Sequence, residues 1–499
     1  MPDGNTALKR YVNTIGGKEA LPQSGEFLES FYPYTAAPWA LVPKCNGEDV
    51  DQAVKAAHEA FTKGDWPAKT PTQRGKLLRR FGDLVAENAD RLAKLEVQDN
   101  GKLLAEMSAQ VNYIPEWFYY YGGLADKIEG AVIPVDKPDM FTFTRHEPLG
   151  VIAAITPWNS PLLLLCWKLA PLLAAGNTVV IKPSEYSSVS TLEFVKLFEQ
   201  AGFPPGVVNT VTGYGADVGE PLVAHPLVRK VAFTGGELSG QHVYETAARG
   251  LKGVTLELGG KSPNIVFEDA NLDNAVMGAI SGIFAATGQT CIAGSRLLVQ
   301  KSVQDEFTEK LLAIAKTARM GDPMNMETQV GPVTTKPQYD KVLSYIETGQ
   351  ADGAKLLLGG KIPQASDLSQ GWFVEPTIFG NVKNTMRIAQ EEVFGPILSI
   401  IPFEDDEEAV EIGNDIVYGL AAGVWTQNMA RAIKMSEQLH AGMVWINTYR
   451  AVSYMVPFGG YKRSGLGREN GQDAIYEFLQ TKSVWMSLAD TVANPFIIK

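Results

Sequence analysis

The chain has 499 residues, of which 45% are hydrophobic and 20% charged. That balance excludes a disordered or collagen-like chain, and the length exceeds what one hydrophobic core ordinarily supports, so two or three domains are expected. A formal charge of −12 argues against a nucleic-acid partner, and no basic cluster reads as a membrane-surface patch.

In chain order, residues 1–18 are polar and lack the apolar core of a signal peptide. The spacing of Val54, Ala57, His58 and Phe61 predicts an amphipathic helix over 48–61, with acids in its first turn. Helical character continues over 72–97. Segments 131–136, 141–145 and 482–487 read as strands outside the main units. From Gly150 the rhythm changes. Apolar runs at 151–155, 178–181, 207–211, 230–233 and 254–258 alternate with helices, including 162–175 and 189–200. After Gly260 the pattern starts again, with strands at 264–267, 296–299, 356–358, 397–401, 420–425 and 443–446 and a helix at 307–318. Short buried strands alternating with helices imply two parallel α/β units. No Pro- or Ser-rich linker separates them, so a tightly packed boundary is expected near Gly259-Gly260. The apolar helices 162–175 and 275–286 are shorter than the ~20 residues a bilayer span needs.

Three cysteines, Cys45, Cys166 and Cys291, are too few for a disulfide framework and suggest a reducing compartment. Five scattered histidines, without HExxH or CxxC spacing, argue against a metal site. No G-x-S-x-G elbow appears. Two glycine-rich loops follow strands. Gly213 to Gly219, which includes Gly215, is a near-match to a dinucleotide fingerprint with one residue too many. Phe233-Thr234-Gly235-Gly236 opens a helix, where backbone N–H groups can approach a pyrophosphate. Both can also be read as plain turns. Cys45 lies in a turn-like stretch and Cys166 inside an apolar helix, so both read as structural. Cys291 sits in a glycine-flanked loop with Arg296 close in sequence and is a candidate nucleophile. Glu257 ends an apolar strand, where a carboxylate is costly unless paired or protonated. It reads either as a base with a raised pKa or as half of a structural ion pair.

Several segments occur together in one order: Thr156-Pro157-Trp158-Asn159, Lys182-Pro183-Ser184-Glu185, the loop from Phe233 to Gly240, Leu256-Glu257-Leu258-Gly259-Gly260-Lys261, Gly288-Gln289-Thr290-Cys291, Glu391-Glu392-Val393-Phe394-Gly395-Pro396 and Pro457-Phe458-Gly459-Gly460-Tyr461-Lys462. On these the chain resembles the NAD(P)-dependent aldehyde dehydrogenase superfamily, of the non-acylating kind, over nearly its whole length. The resemblance implies an α/β fold: a variant Rossmann NAD-binding domain (1–130 and 149–259), a catalytic α/β domain (260–463) and a β-arm for oligomerisation (131–148 and 479–499). It implies a homodimer or homotetramer in the cytoplasm, acting on a small-molecule aldehyde. Neither nucleic acid nor membrane is an expected partner, and no metal is expected.

The same resemblance implies roles for individual residues. Cys291 is the expected nucleophile, forming a thiohemiacetal and then a thioester. Asn159 and the Cys291 backbone N–H resemble an oxyanion hole. Glu257 resembles the base that activates the deacylating water, and Lys168 and Glu469 a proton-relay pair, with a structural ion pair as the alternative. Expected cofactor contacts are Ile155, Thr156, Pro157, Trp158, Lys182, Ser184, Glu185, Gly215, Gly219, Phe233, Gly235, Gly236, Leu258, Gln338, Lys341, Glu392 and Phe394. Glu185 favours NAD over NADP, because a carboxylate there repels a 2′-phosphate. Tyr113, Trp167 and Phe458 are expected beside the aldehyde. Arg450 is an isolated cation in the entrance loop that suits a distal carboxylate, with a solvent-facing or subunit-contact role as the alternative. Two departures stand out. Gly236 replaces the usual small hydroxyl residue, removing a side-chain bond to the pyrophosphate. Ser160 replaces a bulkier residue beside Asn159, implying a roomier mouth. Two other readings remain open on sequence alone, a catalytically silent NAD-binding relative and an acylating enzyme that uses coenzyme A.

Overall fold

The structure, a computed structural model, describes residues 7–366, 368–492 and 494–497. The expected segment 1–18, the first expected domain, the catalytic segment and the arm therefore each include a few positions outside the described residues: 1–6, 367, 493, 498 and 499.

Two sheets dominate the molecule. The first runs Val208–Thr210, Thr178–Lys182, Val151–Ile155, Val228–Thr234, Gly253–Glu257 and Gly465–Leu466. Its first five strands are parallel and the last is antiparallel. Thr178–Lys182 and Val151–Ile155 are buried at every position, as strands covered by helices on both faces must be. The chain reverses its direction of travel across the sheet between Val151–Ile155 and Val228–Thr234. In doubly wound sheets that switch point opens a crevice at the carboxyl ends of the strands.

The second sheet runs Lys355–Leu358, Thr377–Gly380, Ile397–Phe403, Arg296–Gln300, Pro263–Val266, Ala421–Trp425 and Met443–Ile446. It is parallel except for its first strand. A third, antiparallel sheet joins Leu479–Ser487, Met140–Pro148 and Val132–Ile133. It carries exposed apolar side chains, among them Val132, Phe141 and Trp485.

Helix Pro161–Ala175 lies beneath the first sheet. Every residue in it except Leu163 is buried, and a fully buried leucine contributes about 1.5–3 kcal/mol over an exposed one. It ends at Gly176, whose φ of +99° a side chain would strain. Helix Gly47–Thr62 matches the predicted amphipathic face, closed by an Asn46/Asp49 capping box. The helical stretch expected over 72–97 is two helices, Pro71–Glu87 and Ala89–Asn100. Asn88 breaks it with a ψ of +7°, and its side-chain amide donates to the Leu84 carbonyl at 2.8 Å. Among the described residues, no helix is long and apolar enough to cross a membrane.

Candidate active site

The strands of the first sheet end at Ile155, Lys182, Thr234 and Glu257. These carboxyl ends open onto a cleft of about 690 Å³, within the usual range for ligand sites. All the residues expected to touch the cofactor line it, and Asn159 and Cys291 line it too. Tyr186, His242 and Thr246 were not anticipated and also contribute to its wall.

Several features fit a dinucleotide. Helix Glu237–Arg249 begins at the cleft, with Gly236 as its N-cap and no side chain capping it. Its free N–H groups suit a pyrophosphate. The Thr156 and Thr246 hydroxyls are buried without a partner and face the same cleft. Glu185 lies 3.6 Å from the Lys182 ammonium, a carboxylate and a cation together where ribose hydroxyls would need acceptor and donor. At the other end Gln338 donates to the Val393 and Phe394 carbonyls at 2.7 and 2.9 Å, and Lys341 donates to the Glu392 carbonyl at 2.8 Å. Both therefore brace the loop that holds Phe394 at a φ of +60°. Phe394 packs edge-on against Trp158. The Glu392 carboxylate accepts from the Gly260 N–H at 3.0 Å. A Cβ on Gly259 would lie 2.2 Å from that carboxylate, so a larger residue there would push the Glu392 side chain aside.

Cys291 follows a run of left-handed residues, Ala286, Thr287 and Gly288, with φ of +54°, +54° and +70°. Such strain persists only where the surroundings hold it. Here Glu106 accepts from the Ala286 N–H at 2.7 Å, Thr287 donates to the Gly331 carbonyl at 3.1 Å, and Gln289 accepts from the Thr334 N–H at 2.9 Å. Asn159 donates to the Gln289 carbonyl at 3.0 Å, which fixes its amide beside the cysteine loop. Burial pushes the Cys291 thiol up to about 12, and Glu392 and Glu257 add to the shift. Arg296 does not help ionise it. Its guanidinium is turned away onto the carbonyls of Lys261, Ile412 and Gly413.

Glu257 is 3% exposed, and neither carboxyl oxygen has a hydrogen-bond partner. Burial raises its pKa well above the ordinary value and Glu469 adds to this, while Lys168 and Arg468 oppose it. Lys168 sits inside the apolar helix, donates to Thr234 Oγ1 at 2.7 Å and pairs with Glu469. Glu469 is held by paired backbone bonds with Phe458. Trp167 and Phe458 pack 4.8 Å apart, and Tyr113 packs edge-on against Trp117 and at a tilt against Tyr454 while 38% exposed. Arg450 has a φ of +64° and donates to the Ser281 carbonyl at 3.1 Å.

Lys102 was missed by sequence reasoning. It is 3% exposed and donates to Ser160 Oγ at 2.9 Å, next to Asn159. Burial pulls it down to about 8, opposed by Glu106. Its only signal was a lysine just after the helix-ending Gly101, which reads equally well as a solvated side chain. Cys45 and Cys166 are both buried away from the cleft, as expected of structural cysteines.

Comparison with known proteins gives a consistent picture. The model of the aldehyde dehydrogenase family matches residues 21–484. A (Z)-2-((N-methylformamido)methylene)-5-hydroxybutyrolactone dehydrogenase from Acinetobacter baylyi is 46% identical over 94% of this chain and 96% of its own length. An NAD⁺ complex of betaine aldehyde dehydrogenase from Staphylococcus aureus superposes with a TM-score of 0.96 at 38% identity, covering 98% of this chain and 97% of that one. An NAD⁺ complex of an aldehyde dehydrogenase from Bacillus cereus gives 0.94 at 42% identity, covering 96% and 97%.

Proposed function

Because this chain belongs to the aldehyde dehydrogenase family, we propose that it oxidises an aldehyde to the carboxylic acid with NAD, using Cys291 as the nucleophile. The observation that carries the assignment of roles is the cleft at the switch point, where a loop cysteine, an amide donor and an unpaired buried carboxyl share one neighbourhood.

Glu257 in its carboxylate form takes the proton of the buried thiol. The Cys291 sulfur then bonds to the carbonyl carbon, and the negative charge moves to the carbonyl oxygen. The Asn159 amide and the Cys291 N–H stabilise that oxygen, each donor contributing about 3–4 kcal/mol. When bound, NAD supplies the acceptor for the aldehyde hydride. An acyl thioester then remains on Cys291. Glu257 takes a proton from water, whose oxygen bonds to the acyl carbon as the carbon–sulfur bond breaks. Lys168 and Glu469 carry the proton away from Glu257. The residues that line the cleft from Ile155 to Phe394 hold NAD, with Glu185 accepting from the ribose hydroxyls and disfavouring NADP.

Trp167, Phe458 and Tyr113 form the aldehyde's surroundings, with Arg450 at the entrance. A carboxylate-bearing aldehyde is supported by the Acinetobacter baylyi relative, whose name gives a 5-hydroxybutyrolactone as its substrate. Opening such a ring at its hydroxyl-bearing carbon gives an aldehyde with a carboxylate at the other end. The expected domain division is supported by the two α/β sheets, and a homodimer or homotetramer by the exposed apolar arm. The three free cysteines fit a reducing cytoplasm. NADH formation from an aldehyde panel, with and without coenzyme A, tests the assignment. Turnover with water alone is expected. A strict need for coenzyme A would favour the acylating alternative, and no turnover the silent one.

A further inference from the structure

Building on the aldehyde-oxidising reading, we propose that Lys102, presented by Ser160, and Arg450 form a subsite that takes the distal carboxylate of a short oxo acid.

Gly101 ends helix Ala89–Asn100 with a φ of +73° and turns the chain inward. The Lys102 side chain is thereby driven into the interior, where it is 3% exposed. An ammonium has three donors. Among the described residues, this one makes a single hydrogen bond, to Ser160 Oγ at 2.9 Å, and no carboxylate lies within ion-pair distance. A buried cation so poorly matched is costly unless an anion completes it.

Among the described residues, no acid in its surroundings comes within ion-pair distance of it. The two acids whose charge reaches it, Glu106 and Glu96, bind the N–H groups of Ala286 and Leu162 at 2.7 and 3.0 Å. The other charge that reaches it is a second cation, Arg450, and the remaining neighbour is Cys291 itself. Arg450 is half-buried, and among the described residues its one hydrogen bond is to the Ser281 carbonyl. Two cations thus share one electrostatic neighbourhood with the nucleophile, and among the described residues neither has a carboxylate within ion-pair distance. The nearby rings of Trp167, Phe458 and Tyr454 offer no anion either. Ser160 makes the arrangement possible. Its hydroxyl accepts from Lys102 at 2.9 Å and so fixes the ammonium beside Asn159. An aldehyde with a carboxylate a few carbons away can place its carbonyl at Cys291 and its charge between the two cations.

The test compares kcat/KM for 4-oxobutanoate with that for butanal in the purified full-length enzyme. The wild type should prefer the oxo acid. The preference should fall about ten- to hundredfold in Lys102→Met and in Arg450→Ala, as expected for loss of a charge-assisted hydrogen bond. Ser160→Ala, which keeps the fold's backbone but removes the ammonium's anchor, provides the measurement should Lys102→Met fail to fold, and should also lower the ratio. Inhibition by succinate, competitive with the aldehyde, should weaken in the same variants. A wild type that oxidises butanal with no preference for the oxo acid, or a preference unchanged in Arg450→Ala and Ser160→Ala, overturns the subsite and leaves the dehydrogenase assignment standing. A wild type that oxidises neither compound nor any other aldehyde overturns the assignment itself.

Discussion

Replacing Glu257 by Gln separates its catalytic role from a structural one. Neither carboxyl oxygen makes a hydrogen bond, although the side chain is buried. The nearly isosteric amide therefore removes no native contact, and the variant should be at least as stable as the wild type. Its chemistry should change greatly. A positioned general base typically contributes 10²–10⁴-fold, or about 3–5 kcal/mol of barrier. Stopped-flow mixing with NAD and aldehyde should show the first NADH formed more slowly, because the thiol has lost its base, and a steady rate lower by about that factor, because the water has lost it too. The direction of the pH dependence follows from the raised pKa. Below it Glu257 is protonated and cannot take a proton from water, so wild-type kcat should climb as pH rises through it, and that limb should vanish in the variant. A steady-state rate within about twofold of wild type would refute the role of Glu257 as the base.

Cys291→Ala should abolish aldehyde oxidation while a fluorescence titration still shows NAD binding; Cys45→Ala and Cys166→Ala should keep turning over. Wild-type kcat/KM should favour NAD over NADP, and Glu185→Gln should narrow the gap by about tenfold or more. Coulomb repulsion of a 2′-phosphate is substantial at close range, but it is reduced here because Glu185 is 24% exposed and lies beside Lys182. Equal use of both cofactors by the wild type would contradict the role of Glu185. Gly236→Ser should tighten NAD binding by severalfold, because a Cβ there meets nothing within 4 Å and a serine can both cap the helix and donate to the pyrophosphate. Weaker binding in calorimetry would show that the open backbone matters more than the missing hydroxyl.

The parallel sheets were legible because each core strand is a short run buried on both faces and bounded by breakers. Val151–Ile155, buried throughout, falls where an apolar run was read, as does the edge strand Met443–Ile446, which is only partly buried. Strands of other kinds left no such trace. Gly465–Leu466 is two residues long and owes its place to pairing with Leu256 and Glu257. Lys9–Arg10 and Phe27–Tyr32 lie in a small sheet with mixed burial. The break at Asn88 was equally hidden. The apolar periodicity runs through it, and only the side-chain bond to Leu84 reveals the turn.

The site divides along a similar line. Residues at strand ends were readable because the crevice forms wherever parallel strands stop, so a short motif there has one place to go. Contacts between distant segments were legible only through the family resemblance, which paired Lys168 with Glu469. Lys168 and Glu469 are 301 residues apart, and their pairing depends on the final segment folding back over the first sheet. Arg296, five residues beyond Cys291, is close to the nucleophile in sequence. In space it is turned away, because every donor the structure pairs on Arg296 faces the carbonyls that end helix Asp406–Asn414, Lys261 or Asn384. Without that cation the thiol stays protonated until a base takes its proton. The nearby acids Glu392 and Glu257 raise its pKa when charged. Of these, Glu392 is tied to the Gly260 N–H, whereas Glu257 has both oxygens free to accept a proton. The same carboxyl is thus suited to ionising the nucleophile before attack and to activating water afterwards, and its burial keeps it a weak enough acid to do both.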